Sequence, residues 1–216
     1  MWLKALLWGM LLAFLAACAS TPNEITRNKP VSSFPPENGL IVGSFTSDED
    51  IYARRFFFRN IQGTGETNAI SFTPGFFQAG LFSEGSAADR TSHYAFSLPP
   101  GEYEFFNFKL AYHNGYAGRS WEAKQDFSIP FTVAAGEISY LGQIRCYQLT
   151  GKNIFGISIP AGGVFEISDR FGNDVPSLKA KFPEFDWSTL VNRTTLSGDV
   201  PEGLITFRRL DTASVD

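Results

Sequence analysis

Apolar side chains recur at every second position in several stretches between Leu40 and Ser168. That spacing puts one side of an extended chain on a core and the other in water, so it predicts β-strands. Strands are expected at Leu40 to Phe45, at Ala53 to Asn60 with its Phe56-Phe57-Phe58 run, and at Ser92 to Leu98. In the last of these Tyr94, Phe96 and Leu98 share a face, and His93 takes the outward one. Ile70 to Thr73 and Phe76 to Phe82 predict shorter strands. Pro99-Pro100-Gly101 reads as a turn, because proline presets φ at one central position and glycine accepts a positive φ at the next.

The strand from Glu102 to Tyr112 changes phase. Tyr103 and Phe105 hold one parity, whereas Phe106, Phe108, Leu110 and Tyr112 hold the other. A β-bulge near Phe105-Phe106 reconciles the two halves. The cleanest alternation is Phe127, Ile129, Phe131 and Val133, in a strand spanning Gln125 to Val133. Pro130 lies within it and has no N–H to give a neighbour, which predicts an edge position. Glu137 to Leu149, Asn153 to Pro160 and Val164 to Ser168 complete the strand set.

After Asp169 the period lengthens. Leu178, Phe182 and Phe185 stand at helical spacing, Asp174 is placed to cap, and Pro176 falls in the first turn. Pro183 interrupts the pattern, since a mid-helix proline costs about 3 kcal/mol. Two short helices, Val175 to Phe182 and Trp187 to Arg193, are expected, followed by a returning strand at Leu204 to Leu210. The expected fold class is mainly β and antiparallel, with residues 39–170 as the β domain and residues 171–216 as a short helical C-terminal extension packed on it.

Phenylalanine occurs 22 times and aromatics make up 15% of the chain, which supplies a sizeable core for one domain. The formal net charge is −4 and no basic cluster is present. Nucleic acid is therefore not an expected partner, because phosphate neutralisation needs grouped Lys and Arg. Electrostatic docking onto anionic lipid lacks support for the same reason. The cysteines are Cys18 and Cys146. Counted by twos, Cys146 shares a strand face with Ile138, Tyr140 and Ile144, which predicts a small core residue rather than a reactive thiol. One Cys with two distant His is too few ligands for a metal site, and no cofactor is expected.

Candidate chemistry is sparse. The chain has no G-x-S-x-G elbow, H-E-x-x-H pair or EF-hand loop, so no catalytic residue is assigned. Asp48-Glu49-Asp50 reads as a solvated acidic loop before it reads as a calcium site. Gly63-Thr64-Gly65-Glu66-Thr67 lacks the lysine of a phosphate loop and reads as a hairpin connection. His113 ends a strand and opens a glycine-containing loop. There His113, Asn114, Tyr116, Arg119 and Trp121 are the candidate binding residues. Tyr, Trp and Arg are enriched at binding hot spots, and flat rings suit the apolar faces of sugars. The competing reading is that Trp121 closes one end of the β domain as a core plug.

The N-terminus carries Lys4, an apolar run from Ala5 to Ala17, and then Leu15-Ala16-Ala17-Cys18. The run is shorter than the ~20 residues of a membrane-spanning helix and has the charge, core and small-residue order of an export signal. It resembles the lipobox of bacterial lipoproteins. That resemblance implies a signal peptide over residues 1–17, acylation of the Cys18 thiol, and attachment to the cell envelope through the lipid. Ala19, where many inner-membrane lipoproteins have Asp, implies the outer membrane on its periplasmic face. Residues 18–38 contain four prolines and few apolar residues, the composition of a flexible tether.

LPPGEYEFFNFKL (Leu98 to Leu110) and FTVAAGEISYLGQI (Phe131 to Ile144) resemble the paired signatures of prealbumin-like β-sandwiches, similar to carboxypeptidase regulatory-like domains. The resemblance covers roughly Leu40 to Thr150 and implies an antiparallel sandwich of prealbumin or Ig type, with Tyr103 and Tyr140 at its aromatic positions. It carries no catalytic residue across. Three functional readings follow: a noncatalytic envelope lipoprotein acting through protein contacts, a glycan- or peptidoglycan-binding module, and a hydrolase whose site the sequence does not reveal.

Overall fold

The computed structural model describes residues 23–25, 34–47, 53–63, 67–72, 91–113 and 118–209. The expected strand at Phe76 to Phe82, the Asp48–Asp50 loop and Cys18 lie outside the described residues. Two six-stranded sheets make up the body. The first runs β1 (Asn23–Ile25), β4 (Thr67–Phe72), β3 (Ala53–Asn60), β6 (Gly101–His113), β7 (Gly118–Glu122), with β8 (Ile129–Val133) also on β6. The second runs β12 (Ile205–Arg209), β10 (Ser158–Asp169), β9 (Ile138–Lys152), β2 (Gly39–Ser47), β5 (Thr91–Leu98), with β11 (Leu190–Asn192) also on β9. Pairing is mostly antiparallel; β1–β4, β2–β9, β9–β11 and β10–β12 are parallel. Among the described residues no helix is long and apolar enough to cross a membrane.

The phase change in β6 is a bulge, as its sequence requires. Phe57 pairs with Asn107 and Phe58 with Phe105, which leaves Phe106 as the extra residue. Tyr103, Phe105, Phe108 and Leu110 all reach the core as a result. Phe106 stays outside, beside Phe57 and beneath the Arg59 guanidinium at 4.2 Å. β8 finds only β6 as a partner among the described strands, which is the edge position Pro130 demands. The main core lies between the sheets. Phe56 on β3 meets Phe105 at 5.1 Å and Phe165 on β10 at 5.2 Å, ring spacings that stabilise beyond area burial alone.

The second sheet is buried on both faces at its centre. Leu40, Ile41 and Val42 are all inaccessible, as are Ile138 and Tyr140. Ile41 faces the other sheet, whereas Leu40, Val42, Ala95, Ile138 and Tyr140 face a second apolar cluster with Leu178, Phe182 and Phe185. Such strands read as continuous apolar runs instead of alternation. The covering layer is helix α1 (Phe171–Lys181) and the turn of 3₁₀ helix at Trp187–Thr189 that follows it.

Several expectations need correction. Helix α1 starts at Phe171, four residues before the expected Val175, because Asp169 Oδ1 accepts the Phe171 N–H at 3.0 Å. Asp174 is no cap, and Pro176 lies inside the helix, past its first turn. Trp187 to Arg193 is not a second α-helix: it gives three 3₁₀ residues and then β11, because pairing with Ile138 to Tyr140 satisfies this backbone. The 171–216 extension is thus only partly helical, and Ile205–Arg209 rejoins the second sheet.

The faces of β9 also differ from a simple count. Gly142 sits at φ +97°, and the β2–β9 register shifts between Val42 and Ser44. Ile138 and Tyr140 therefore face α1, while Leu141, Ile144 and Cys146 face the main core. Cys146 is fully buried, but not on the side shared with Tyr140. Within the 18–38 segment expected as a tether, Asn23–Ile25 pairs with β4, and Phe34 packs on Phe185 at 6.3 Å.

Candidate functional site

The candidate binding residues straddle the β6–β7 connection. β6 and β7 pair with Leu110 opposite Trp121, Tyr112 opposite Arg119 and His113 opposite Gly118. Arg119 and Trp121 therefore stand on a strand, not in the loop expected for them. Asn114 and Tyr116 lie outside the described residues. The ladder places the His113 backbone near Arg119. Arg119 is exposed, whereas Trp121 is half-buried and joins the main core. Its indole Cδ1 stands 3.6 Å from where a Cβ on Gly162 would be, so it lies close over the β10 backbone at a position where φ is +125°.

A polar cluster that sequence reasoning missed sits beneath α1. Ser44 on β2 and Tyr140 on β9 both donate hydroxyl hydrogens to Asp174 Oδ2, the tyrosine at 2.8 Å. Arg170 Nε lies 3.8 Å from the other oxygen, Oδ1. Ser44 is inaccessible and Asp174 only 6% exposed. A carboxyl group in such a place is tolerable because two hydroxyls and a guanidinium face it. Burial, then the Asp174 charge, then its hydrogen bond push the Tyr140 phenol well above the ordinary tyrosine value. Burial and the same charge raise Tyr94, whose hydroxyl finds no partner among the described residues.

His93 pairs across the ladder from Ser44 and so faces α1. Its outward parity was legible, but that face is half-covered rather than open. Burial first and Lys181 second hold its pKa below the usual histidine value, against an opposing pull from Asp174. Serine, histidine and aspartate thus come together, but in the wrong order for nucleophilic catalysis. In a triad the serine donates to the histidine, whereas here Ser44 donates straight to the carboxylate. The arrangement fastens α1 to the sheet. A sequence signal for it was the serine at an apolar parity of β2 and the acid one turn into an otherwise amphipathic helix.

The gap between the sheets near Phe131 and Leu141 is walled by apolar side chains and Thr195, with no acid or base. Among the described residues, no three His, Cys, Asp or Glu side chains are grouped to hold a metal ion.

These features define a mainly β protein of two mostly antiparallel sheets with one short α-helix. No protein-family model matches the chain, and no curated protein matches it. One solved structure with partial similarity is a leucine-rich repeat protein from Bacteroides thetaiotaomicron, 11% identical, with a TM-score of 0.31. The match covers 50% of this chain and 13% of that one, and at that score it carries no argument.

Proposed function

We propose that this is a lipid-anchored protein of the cell envelope whose β body serves a noncatalytic structural or adaptor role through protein contacts. The observation that carries the reading is Leu15-Ala16-Ala17-Cys18 at the end of a short apolar run behind Lys4. Cys18 is the acylated residue, and Ala19 directs the protein to the outer membrane in a host that has one. The body is an antiparallel sandwich of prealbumin-like type in this reading. Its support is the LPPGEY turn, where the Tyr103 hydroxyl donates to Pro99 O at 2.9 Å and ties the strand to its own turn. The seat of Trp121 against Gly162 supports packing over a sugar platform, so the adaptor role is preferred to the glycan-binding one.

Feeding cells a clickable palmitate analogue tests the anchor. Wild type should take up label and appear at processed size. Cys18→Ser should take up none and persist as precursor, and Ala19→Asp should move protein from outer- to inner-membrane fractions. Equal labelling of wild type and Cys18→Ser overturns the reading.

A further inference from the structure

The hairpin joining β9 to β10 carries the most exposed apolar side chains among the described residues. Ile154 is 92% exposed, Phe155 79% and Ile157 60%, with Leu149 at 45% a few residues below. An apolar end of this kind on a protein surface marks a contact surface. The turn is built, not slack. Asn153 Oδ1 accepts the N–H groups of Phe155 and Ile157 at 2.9 and 3.0 Å, Asn153 N–H donates to Ile157 O at 2.9 Å, and Gly156 N–H donates to Asn153 O at 2.9 Å. Gly156 holds φ +76°, which an L side chain resists. The turn thus meets much of its own hydrogen-bonding need and presents three exposed apolar side chains at the end of the hairpin.

The chain is acidic overall, yet from Arg145 to Phe165 it contains no Asp or Glu. Lys152 closes β9 at the foot of the turn, and Arg145 stacks on Tyr147 at 5.4 Å lower on the same strand. An apolar hairpin end with a lysine beside it is complementary to a bilayer surface: side chains enter the acyl boundary, and the ammonium meets headgroup phosphate. A protein groove would have to match the tip by shape, whereas a bilayer needs no preformed pocket.

We propose that the Ile154–Ile157 tip inserts into a lipid bilayer. The insertion is driven by apolar burial, so it does not need an anionic membrane. Nor does it rest on the Cys18 lipid. β9 starts beside Asn38, to whose carbonyl Gly136 N–H donates at 2.8 Å, and reaches the tip at its far end, roughly 50 Å away at ~3.3 Å per residue. The tip is a second contact, at the opposite end of β9 from Asn38.

Depth-dependent quenching tests this on the protein as its host processes it. Phe155→Trp places an indole at the tip without touching the core, and Glu184→Trp places one on an exposed site beside α1. Both are mixed with phosphatidylcholine vesicles with and without bromine on the acyl chains, and wild-type emission is subtracted. The indole at 155 should shift to the blue, lose emission to the brominated lipid and gain protection from aqueous acrylamide; the indole at 184 should do none of these. Equal acrylamide quenching at 155 with and without vesicles overturns the proposal. So does protection at 155 that arises only on adding envelope protein. Acyl labelling at Cys18 is read separately, so loss of one reading leaves the other standing.

Discussion

The Tyr140 hydroxyl donates to Asp174 Oδ2 at 2.8 Å, and this bond joins the outer face of β9 to the middle of α1. Ser44 donates to the same oxygen from β2, so one carboxylate bridges two parallel-paired strands and the helix that covers them. Leu178 and Phe182 supply the apolar part of the contact, and Asp174 supplies its polar registration.

Asp174→Ala should destabilise the protein by about 2–6 kcal/mol, because it strands two buried hydroxyls at ~1–3 kcal/mol each. Asp174→Asn should cost less, since its carbonyl still accepts. Urea midpoints measure both. An alanine variant within about ±0.5 kcal/mol of wild type would show that the cluster contributes nothing.

His93 gives a pH dependence of definite sign. Its folded pKa lies below the ordinary value of 6.5, with burial the leading cause and Lys181 the second, so the unfolded chain takes up the proton first. Stability from this group is full above that value and falls as pH drops from it toward the lowered folded pKa. His93→Gln should flatten the urea midpoint through that window. A wild-type midpoint that rises on acidification there would contradict the partial burial of His93 on the α1 side of the sheet.

Trp121→Ala separates packing from display. With the indole half-buried over Gly162, the change should cost about 1.5–3 kcal/mol, below the ~3–5 of a fully buried aromatic. A melting curve that does not move would instead mark Trp121 as a surface residue free for binding.

Gly43 is a packing constraint without a chemical role. A Cβ there would stand 2.6 Å from Gly142 O and against the buried Tyr94 hydroxyl. Gly43→Ala should therefore cost about 1–3 kcal/mol or more through forced displacement. Circular dichroism melting should show it, and an unchanged midpoint would mean that Tyr94 has room to move.

The β class, the bulge in β6 and the edge position of β8 were determined by sequence alone. Each follows from a local rule: strand parity in Phe105 to Phe108, and the missing N–H of Pro130. The candidate residues at 113–121 were legible as a composition but not as a strand, because β7 exists only by pairing with β6.

Only the tertiary structure decided which faces are covered. Gly142 reverses the parity of β9, so Tyr140 and Cys146 part company, and unlike the aromatic phase change of β6, the near-continuous apolar run of β9 gave no count by twos that marks it. Ser44 became interior and His93 half-buried when α1 folded over their face, and Asp174 turned from an apparent cap into a buried acceptor. Parity is a property of neighbours in the chain, whereas burial depends on partners far along it. Ser44 and Asp174, 130 residues apart, meet only once both sheets and the helix are in place.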